Sequence, residues 1–341
     1  MNKISVMVVE DSAVVRDWLV HILESSPLIN IVATASDGEE AVQAAMRIMP
    51  DVITMDIHMP RMNGLAATRK IMELCPIPIV IVSGSGESGD VEKTFKAIEA
   101  GALAIVPRPP GIGHPDHEDC ARELVRLVLA MSEVKLVRRW PKRNAQASIA
   151  EHSLEIVAIG ASTGGPPVIK TILSMMPEKF PLPILVVQHM SAGFLQGFAD
   201  WLDHNSALAV SLARDGEKLS GARVYIAPDG CQMKVGKGGR IILTQDAPEN
   251  GLRPSVSFLF RSIEENYGKR AMAGLLTGMG KDGAAELSLL KEKGAVTFVQ
   301  DRESSVVYGM AGEAVRLDAA NYILAPDHIA SFLAGMAKGA A

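Results

Sequence analysis

Short apolar runs alternate with amphipathic stretches along this 341-residue chain. Before the helix-like stretch His117 to Val137, the runs Ser5 to Val9, Ile31 to Ala35, Val52 to Ile57, Ile77 to Val82 and Ala102 to Val106 read as strands. They are too short for helices, rich in β-branched residues, and separated by helical patterns. Five such β-α repeats with brief connections predict a doubly wound parallel sheet covered on both faces. The rhythm stops at the basic, proline-broken stretch Arg138 to Ser148 and resumes at Glu155. Further strands are expected at Ile184 to Val187, Arg223 to Ala227, Arg240 to Thr244, Gly274 to Thr277, Ala295 to Val299 and Tyr322 to Ala325. Ala222 to Thr244 reads as a hairpin turning at Lys237-Gly238-Gly239. The expected architecture is thus two α/β domains, 1–125 and 153–341, joined by a linker over 126–152, the second mostly parallel with an antiparallel insertion. The linker charges are either simply solvated or in contact with an acidic face.

Composition narrows the field. A net charge of -5 argues against a nucleic-acid partner, which needs a concentrated basic surface. Cys75, Cys120 and Cys231 lack both disulfide-framework and zinc-ligand spacing. No run reaches the length of a membrane span, so membrane insertion is not expected, and the apolar start up to Val9 is too short for a signal peptide. The expected location is the cytoplasm.

In the first domain, Glu10 and Asp11 follow the first expected strand and Asp56 closes the third. Carboxyl ends of neighbouring strands converge on one crevice, so these acids are expected to meet. Such a cluster repels itself unless a cation neutralises it, and hard oxygen ligands suit Mg²⁺. His58, two residues past Asp56, is counted as a further candidate ligand. The alternative for Asp11 is a helix N-cap before Ser12-Ala13. Ser83 and Arg108 lie at the ends of the fourth and fifth strands and are expected to flank a phosphoryl group on Asp56. Residues 1–125 resemble the receiver domain of two-component response regulators. The resemblance makes Asp56 the phosphoacceptor, with Mg²⁺ as cofactor and a histidine kinase as phosphodonor, Glu10 and Asp11 metal-binding acids, and Ser83 the switch hydroxyl. Arg108 stands where receivers carry lysine, and Ile105 where they carry an aromatic residue.

In the second domain, Gly160-Ala161-Ser162-Thr163-Gly164-Gly165 sits between an apolar run and the helix-like Val168 to Met176. A dinucleotide loop needs glycine where Ser162 stands, and a P-loop needs Lys-Ser/Thr where Pro166-Pro167 stand. The G-x-S-x-G pattern instead fits a nucleophile elbow. A serine hydroxyl needs an imidazole to take its proton and a carboxylate to hold the imidazole tautomer. His189, at the end of Val186 to Gln188, and Asp282, in Gly278-Met279-Gly280-Lys281-Asp282-Gly283, are the candidates. A satisfied core histidine and a helix N-cap are their bland alternatives. Gly278 to Gly280 can aim a backbone N–H at an oxyanion.

Together these motifs resemble the chemotaxis response-regulator methylesterase family, CheB, over nearly the whole chain. The resemblance implies Ser162 as nucleophile, His189 as base, Asp282 as orienting acid, Thr163 beside the site and Met279 as oxyanion donor. It also implies a phosphorylation-regulated enzyme, with no cofactor for hydrolysis, that cleaves glutamyl methyl esters on the cytoplasmic helices of chemoreceptors and deamidates receptor glutamines. Leu252 and Gln232 stand where the family carries histidines. A related hydrolase or deamidase with another protein target, and a non-catalytic receiver scaffold, are the alternative functions.

Overall fold

The computed structural model describes residues 3–84, 95–111, 113–134 and 154–337. They form two compact units, Met1–Leu136 and Val137–Ala341.

The first unit holds β1 (Ile4–Val9), β2 (Ile29–Ala35), β3 (Val52–Met55), β4 (Ile79–Ser83) and β5 (Ala104–Pro107). They pair in parallel in the order β2-β1-β3-β4-β5. All of β3 and β4 is buried, as apolar runs without alternation demand when helices cover both faces. β1 lies between β2 and β3, so the chain order reverses beside it, and the residues after β1 and β3 open into one crevice. The last helix, His117–Ser132, ends short of the expected Val137 and buries Leu124, Val128 and Met131. Residues 126–132, expected to begin the linker, are therefore part of the first unit. The basic stretch Arg138 to Ser148 lies outside the described residues.

The second unit is built on β6 (Ile156–Ala161), β7 (Ile184–Gln188), β8 (Ala209–Leu212), β9 (Arg223–Ile226), β12 (Ala271–Leu275), β13 (Val296–Gln300) and β14 (Tyr322–Leu324). Their order is β14-β13-β12-β6-β7-β9-β8, and every pair is parallel. The hairpin is shorter than expected: β10 (Gln232–Gly236) pairs antiparallel with β11 (Arg240–Thr244) in a separate two-stranded sheet. Arg223–Ile226, expected in that hairpin, instead joins the main sheet between β7 and β8. Each residue of β9 after Arg223 is buried, and a run buried on both faces belongs inside a parallel sheet rather than in a half-exposed hairpin. Leu185, Tyr225, Met233, Phe260, Leu275 and Leu287 join one core beneath this sheet. Full burial of each such side chain contributes roughly 1.5–3 kcal/mol. β6, flanked by β12 and β7, occupies the middle, where neighbouring strand ends lie closest to one another.

Candidate active site

The acid cluster of the first unit forms as the strand order dictates. Glu10 and Asp56 are buried, Asp11 is exposed, and one oxygen of each lies within 4.8 Å of the others. These are hard oxygen ligands, close enough to share one divalent cation. Asp11 does not cap the following helix: Ser12 does, its hydroxyl accepting from the Val15 N–H. His58, exposed two residues beyond Asp56, does not add its ring to this side-chain cluster, but its charge acts on Asp56 and opposes the burial that raises that carboxyl's pKa.

Arg108 follows β5, and its N–H bonds the Ser83 carbonyl at 2.7 Å. From there its Nη2 donates to Glu10 Oε2 at 3.0 Å and Asp56 Oδ1 at 3.3 Å. The arginine thus reaches the two buried acids of the cluster. Ser83, buried at the end of β4, donates its hydroxyl to the Gly84 carbonyl at 3.2 Å. Burial, and next the Asp56 charge, push Glu10 up to about 7 against the pull of Arg108. Burial likewise raises Asp56, with Arg108 and the Ile57 N–H opposing it. These carboxylates gain by meeting a cation.

In the second unit, β6, β7 and β12 end side by side. Ala161 is in register with Gln188, and the His189 N–H bonds the Ala161 carbonyl at 2.9 Å. Ser162 and His189 are therefore the first residues beyond a paired step of adjacent strands. From the other side, the Ser162 N–H bonds the Thr277 carbonyl at 3.0 Å, just past β12. The Thr277 hydroxyl donates to the Thr163 carbonyl at 2.9 Å, fastening the elbow to the loop that carries Met279. A Cβ on Gly278 would lie 2.7 Å from Ser162 Cβ, so only glycine lets this loop come so near the serine.

Asp282 and His189 are in direct contact: Nε2 of the ring lies 2.9 Å from Asp282 Oδ2. That leaves Nδ1 as the nitrogen able to serve Ser162. No hydrogen bond of the Ser162 hydroxyl is present among the described residues. Resting catalytic hydrogen bonds often close only when substrate binds.

Asp282 is 4% exposed and its oxygens are saturated with donors. Oδ1 accepts from the Ser255 hydroxyl at 2.9 Å and the Ser257 N–H at 3.1 Å, and Oδ2 accepts from the Val256 N–H at 2.6 Å. These donors begin the helix Val256–Asn266, which Ser255 caps. Helix N-terminal N–H groups point outward with partial positive charge, a ready seat for a carboxylate. The N-cap alternative for Asp282 is thus half met: it caps no helix of its own, since the helix Ala284–Glu292 has no side-chain cap, but it seats on the start of another. Burial alone would raise its pKa, yet the His189 hydrogen bond and charge, with Ser257 and the Val256 N–H, outweigh this and lower it to about 2. It stays ionised beside the imidazole.

Several supporting residues escaped the sequence reading because their partners lie far along the chain. Ser255 and Ser257 carry no motif; only a polar Ser-x-Ser at a helix start hinted at them. Gln232, singled out as a departure from the family, is fully buried. Its Nε2 donates to the Ala247 and Leu252 carbonyls, and its Oε1 accepts from the Ser255 N–H at 2.9 Å. It shapes the loop leading to Ser255, so that departure sits behind the orienting acid rather than on a substrate surface.

A sheet whose central strand ends place serine, histidine and buried aspartate together, in a chain that also carries an acid-lined doubly wound unit, defines a hydrolase with its own switch module. Comparison with known proteins agrees. The family model of CheB methylesterase matches residues 157–333, and that of the response regulator receiver domain matches residues 6–112. The chain is 57% identical to the protein-glutamate methylesterase/protein-glutamine glutaminase of Nitrosospira multiformis over 98% of its own length and 97% of the relative's. It is 52% identical to a protein-glutamate methylesterase/protein-glutamine glutaminase of Geobacter metallireducens, over 98% and 99%. The solved catalytic domain of Thermotoga maritima CheB methylesterase is 36% identical, with a TM-score of 0.52, over 54% of this chain and 98% of that one. The chain belongs to the CheB methylesterase family and carries the receiver domain at its N-terminal end.

Proposed function

We propose that the chain is a phosphorylation-regulated protein-glutamate methylesterase that cleaves glutamyl methyl esters on the cytoplasmic helices of chemoreceptors and deamidates receptor glutamines by the same route. The observation that carries this reading is the buried, donor-saturated Asp282 in contact with His189 beside the Ser162 elbow. Ser162 Oγ attacks the glutamyl carbonyl while His189 Nδ1 takes its proton. Asp282 holds the ring through Nε2 and stabilises the imidazolium that forms. The tetrahedral oxyanion is taken up by the Met279 N–H, with Thr163 beside it; losing one such donor typically costs about 3 kcal/mol. The C–O bond to methanol breaks as His189 returns the proton to the departing oxygen. Water then enters, gives a proton to His189, and attacks the acyl-serine, releasing glutamate and restoring Ser162. With glutamine, ammonia leaves instead. Both reactions are acyl transfers through one serine ester.

Asp56 receives the phosphoryl group from a histidine kinase, with Glu10, Asp11 and Asp56 holding Mg²⁺. The ion, when bound, offsets the charge of the phosphoryl group during transfer. Arg108, 3.3 Å from Asp56, and Ser83, at the end of the neighbouring strand, contact the new phosphate; the fork of arginine binds it in a different geometry from lysine. The cytoplasm is where this receptor surface and kinase are met; among the described residues, no helix is long and apolar enough to cross a membrane.

The test is methanol release from methylated chemoreceptor membranes by the full-length protein, with Mg²⁺ and with or without a small phosphodonor. Release that rises with phosphodonor and vanishes in Ser162→Ala supports the reading. Release that persists in Ser162→Ala refutes it.

A further inference from the structure

Gln188 is the last residue of β7 and precedes His189. It is 1% exposed. Its Nε2 donates to the Ser162 carbonyl at 2.8 Å and to the His189 carbonyl at 2.7 Å. A primary amide nitrogen carries two hydrogens, and here each goes to the carbonyl of one of the two residues that must exchange a proton.

The location gives this geometry its force. The ladder between β6 and β7 ends at the Ala161–Gln188 step and the His189 N–H bond to Ala161. Beyond that step one chain turns into the elbow and the other into a loop, so no backbone bond couples Ser162 to His189. The Gln188 amide supplies the missing rung. The orientation of the amide is dictated by its partners, because the reverse would set Oε1 against two carbonyl oxygens. Oε1 is buried with no hydrogen-bond partner. It lies over Gly165, where a Cβ would come within 2.1 Å of it. A buried acceptor left unpaired costs free energy, so this arrangement gives up stability while fixing two backbones. Gly165, the residue just after the elbow motif, leaves the space that the amide fills.

We propose that Gln188 is a positioning residue for hydrolysis: its amide clamps the backbones of Ser162 and His189 together and sets the approach of Oγ to Nδ1. The proposal rests on reading Ser162 as nucleophile and His189 as base. Neither Glu nor Met at this position can replace it. The carboxylate of Glu offers lone pairs to carbonyl oxygens, and Met matches the length but has no donor.

The experiment uses the full-length protein, with a fluorophosphonate probe to count reactive serines and methanol release to measure turnover. Labelling abolished by Ser162→Ala verifies the nucleophile; labelling that survives that change sinks the site reading itself, and this proposal with it. In Gln188→Met, turnover per titrated serine should fall about 100-fold, the size of effect expected from displacing reacting groups by about 1 Å, with KM nearly unchanged. Gly165→Ala, whose new methyl would meet Oε1 at 2.1 Å and Ala161 Cβ at 2.8 Å, should show the same loss while Gln188 remains. A residue that only supports the fold would lower the number of titrated serines and leave turnover per titrated serine within about twofold of the parent, which would overturn the proposal. Loss of the fold in both variants would overturn it too, because the amide would then hold the domain rather than align two residues.

Discussion

The two units each bury a carboxylate at the carboxyl end of a parallel sheet, and their surroundings drive the two in opposite directions. Asp56 shares its crevice with Glu10 and Asp11, and burial raises its pKa despite Arg108. Asp282 is as deeply buried, yet sits on the N–H groups that open a helix and against His189, and its pKa falls to about 2. The first charge is left partly uncompensated, so a metal and a phosphoryl group have something to relieve. The second is compensated in advance, so the imidazole meets a fixed anion and nothing needs to reorganise during turnover. A switch keeps its charge in want of a partner; a catalytic orienter has its partners built in.

Neutralising the second charge breaks the comparison most sharply. Asp282→Asn should cut hydrolysis by about 10⁴-fold, because the amide no longer fixes the imidazole tautomer. It should also destabilise the second unit by about 2 kcal/mol, since the amide NH₂ cannot accept from the donors that Asp282 satisfies. Steady-state kinetics and denaturant unfolding measure the two effects; a variant retaining a tenth of the activity contradicts the role given to Asp282.

Acid probes the same carboxylate without mutation. Its folded pKa of about 2 lies below its ordinary value of 3.8. The stabilisation is therefore complete above about pH 4 and disappears as pH falls toward 2, on the order of 2 kcal/mol. Amide exchange in the helix Val256–Asn266 should accelerate across that window in the parent and much less in Asp282→Asn.

The first unit should answer with the opposite sign. Asp56→Asn removes a charge from a self-repelling cluster and should stabilise the metal-free unit by about 1 kcal/mol, while abolishing the response to phosphodonor. Mg²⁺ at tenfold above its Kd should slow amide exchange around β1 and β3 of the parent by the equivalent of about 1.4 kcal/mol and leave the second unit untouched. Destabilisation by Asp56→Asn would mean that Arg108 compensates the cluster more fully than the pKa directions imply.

Much of this arrangement was legible because a parallel sheet writes itself plainly. Buried strands read as unbroken apolar runs, and their carboxyl ends are where chemistry collects, so Ser162, His189, Asp282, Glu10, Asp11 and Asp56 stood out. What stayed hidden depends on distance in the chain or on fine position. β8 escaped because it is an edge strand of four residues with one exposed end, too little apolar pattern to register. Arg223–Ile226 was drawn into a hairpin because adjacency to a glycine turn outweighed its true neighbours, β7 and β8. The donors around Asp282 come from residues 25 to 27 positions away, a pairing that no local pattern announces.

The central place of β6 governs when the enzyme can exist during synthesis. Its two neighbours are β7, next in sequence, and β12, whose Leu275 pairs with Gly160 across more than a hundred intervening residues. Such long-range parallel pairing is slow to nucleate, and here it must wait for the distant strand to leave the ribosome. Asp282 emerges only after β12. A nascent chain thus exposes its serine long before that serine has an orienting acid, and hydrolysis must wait until β12 and Asp282 have followed.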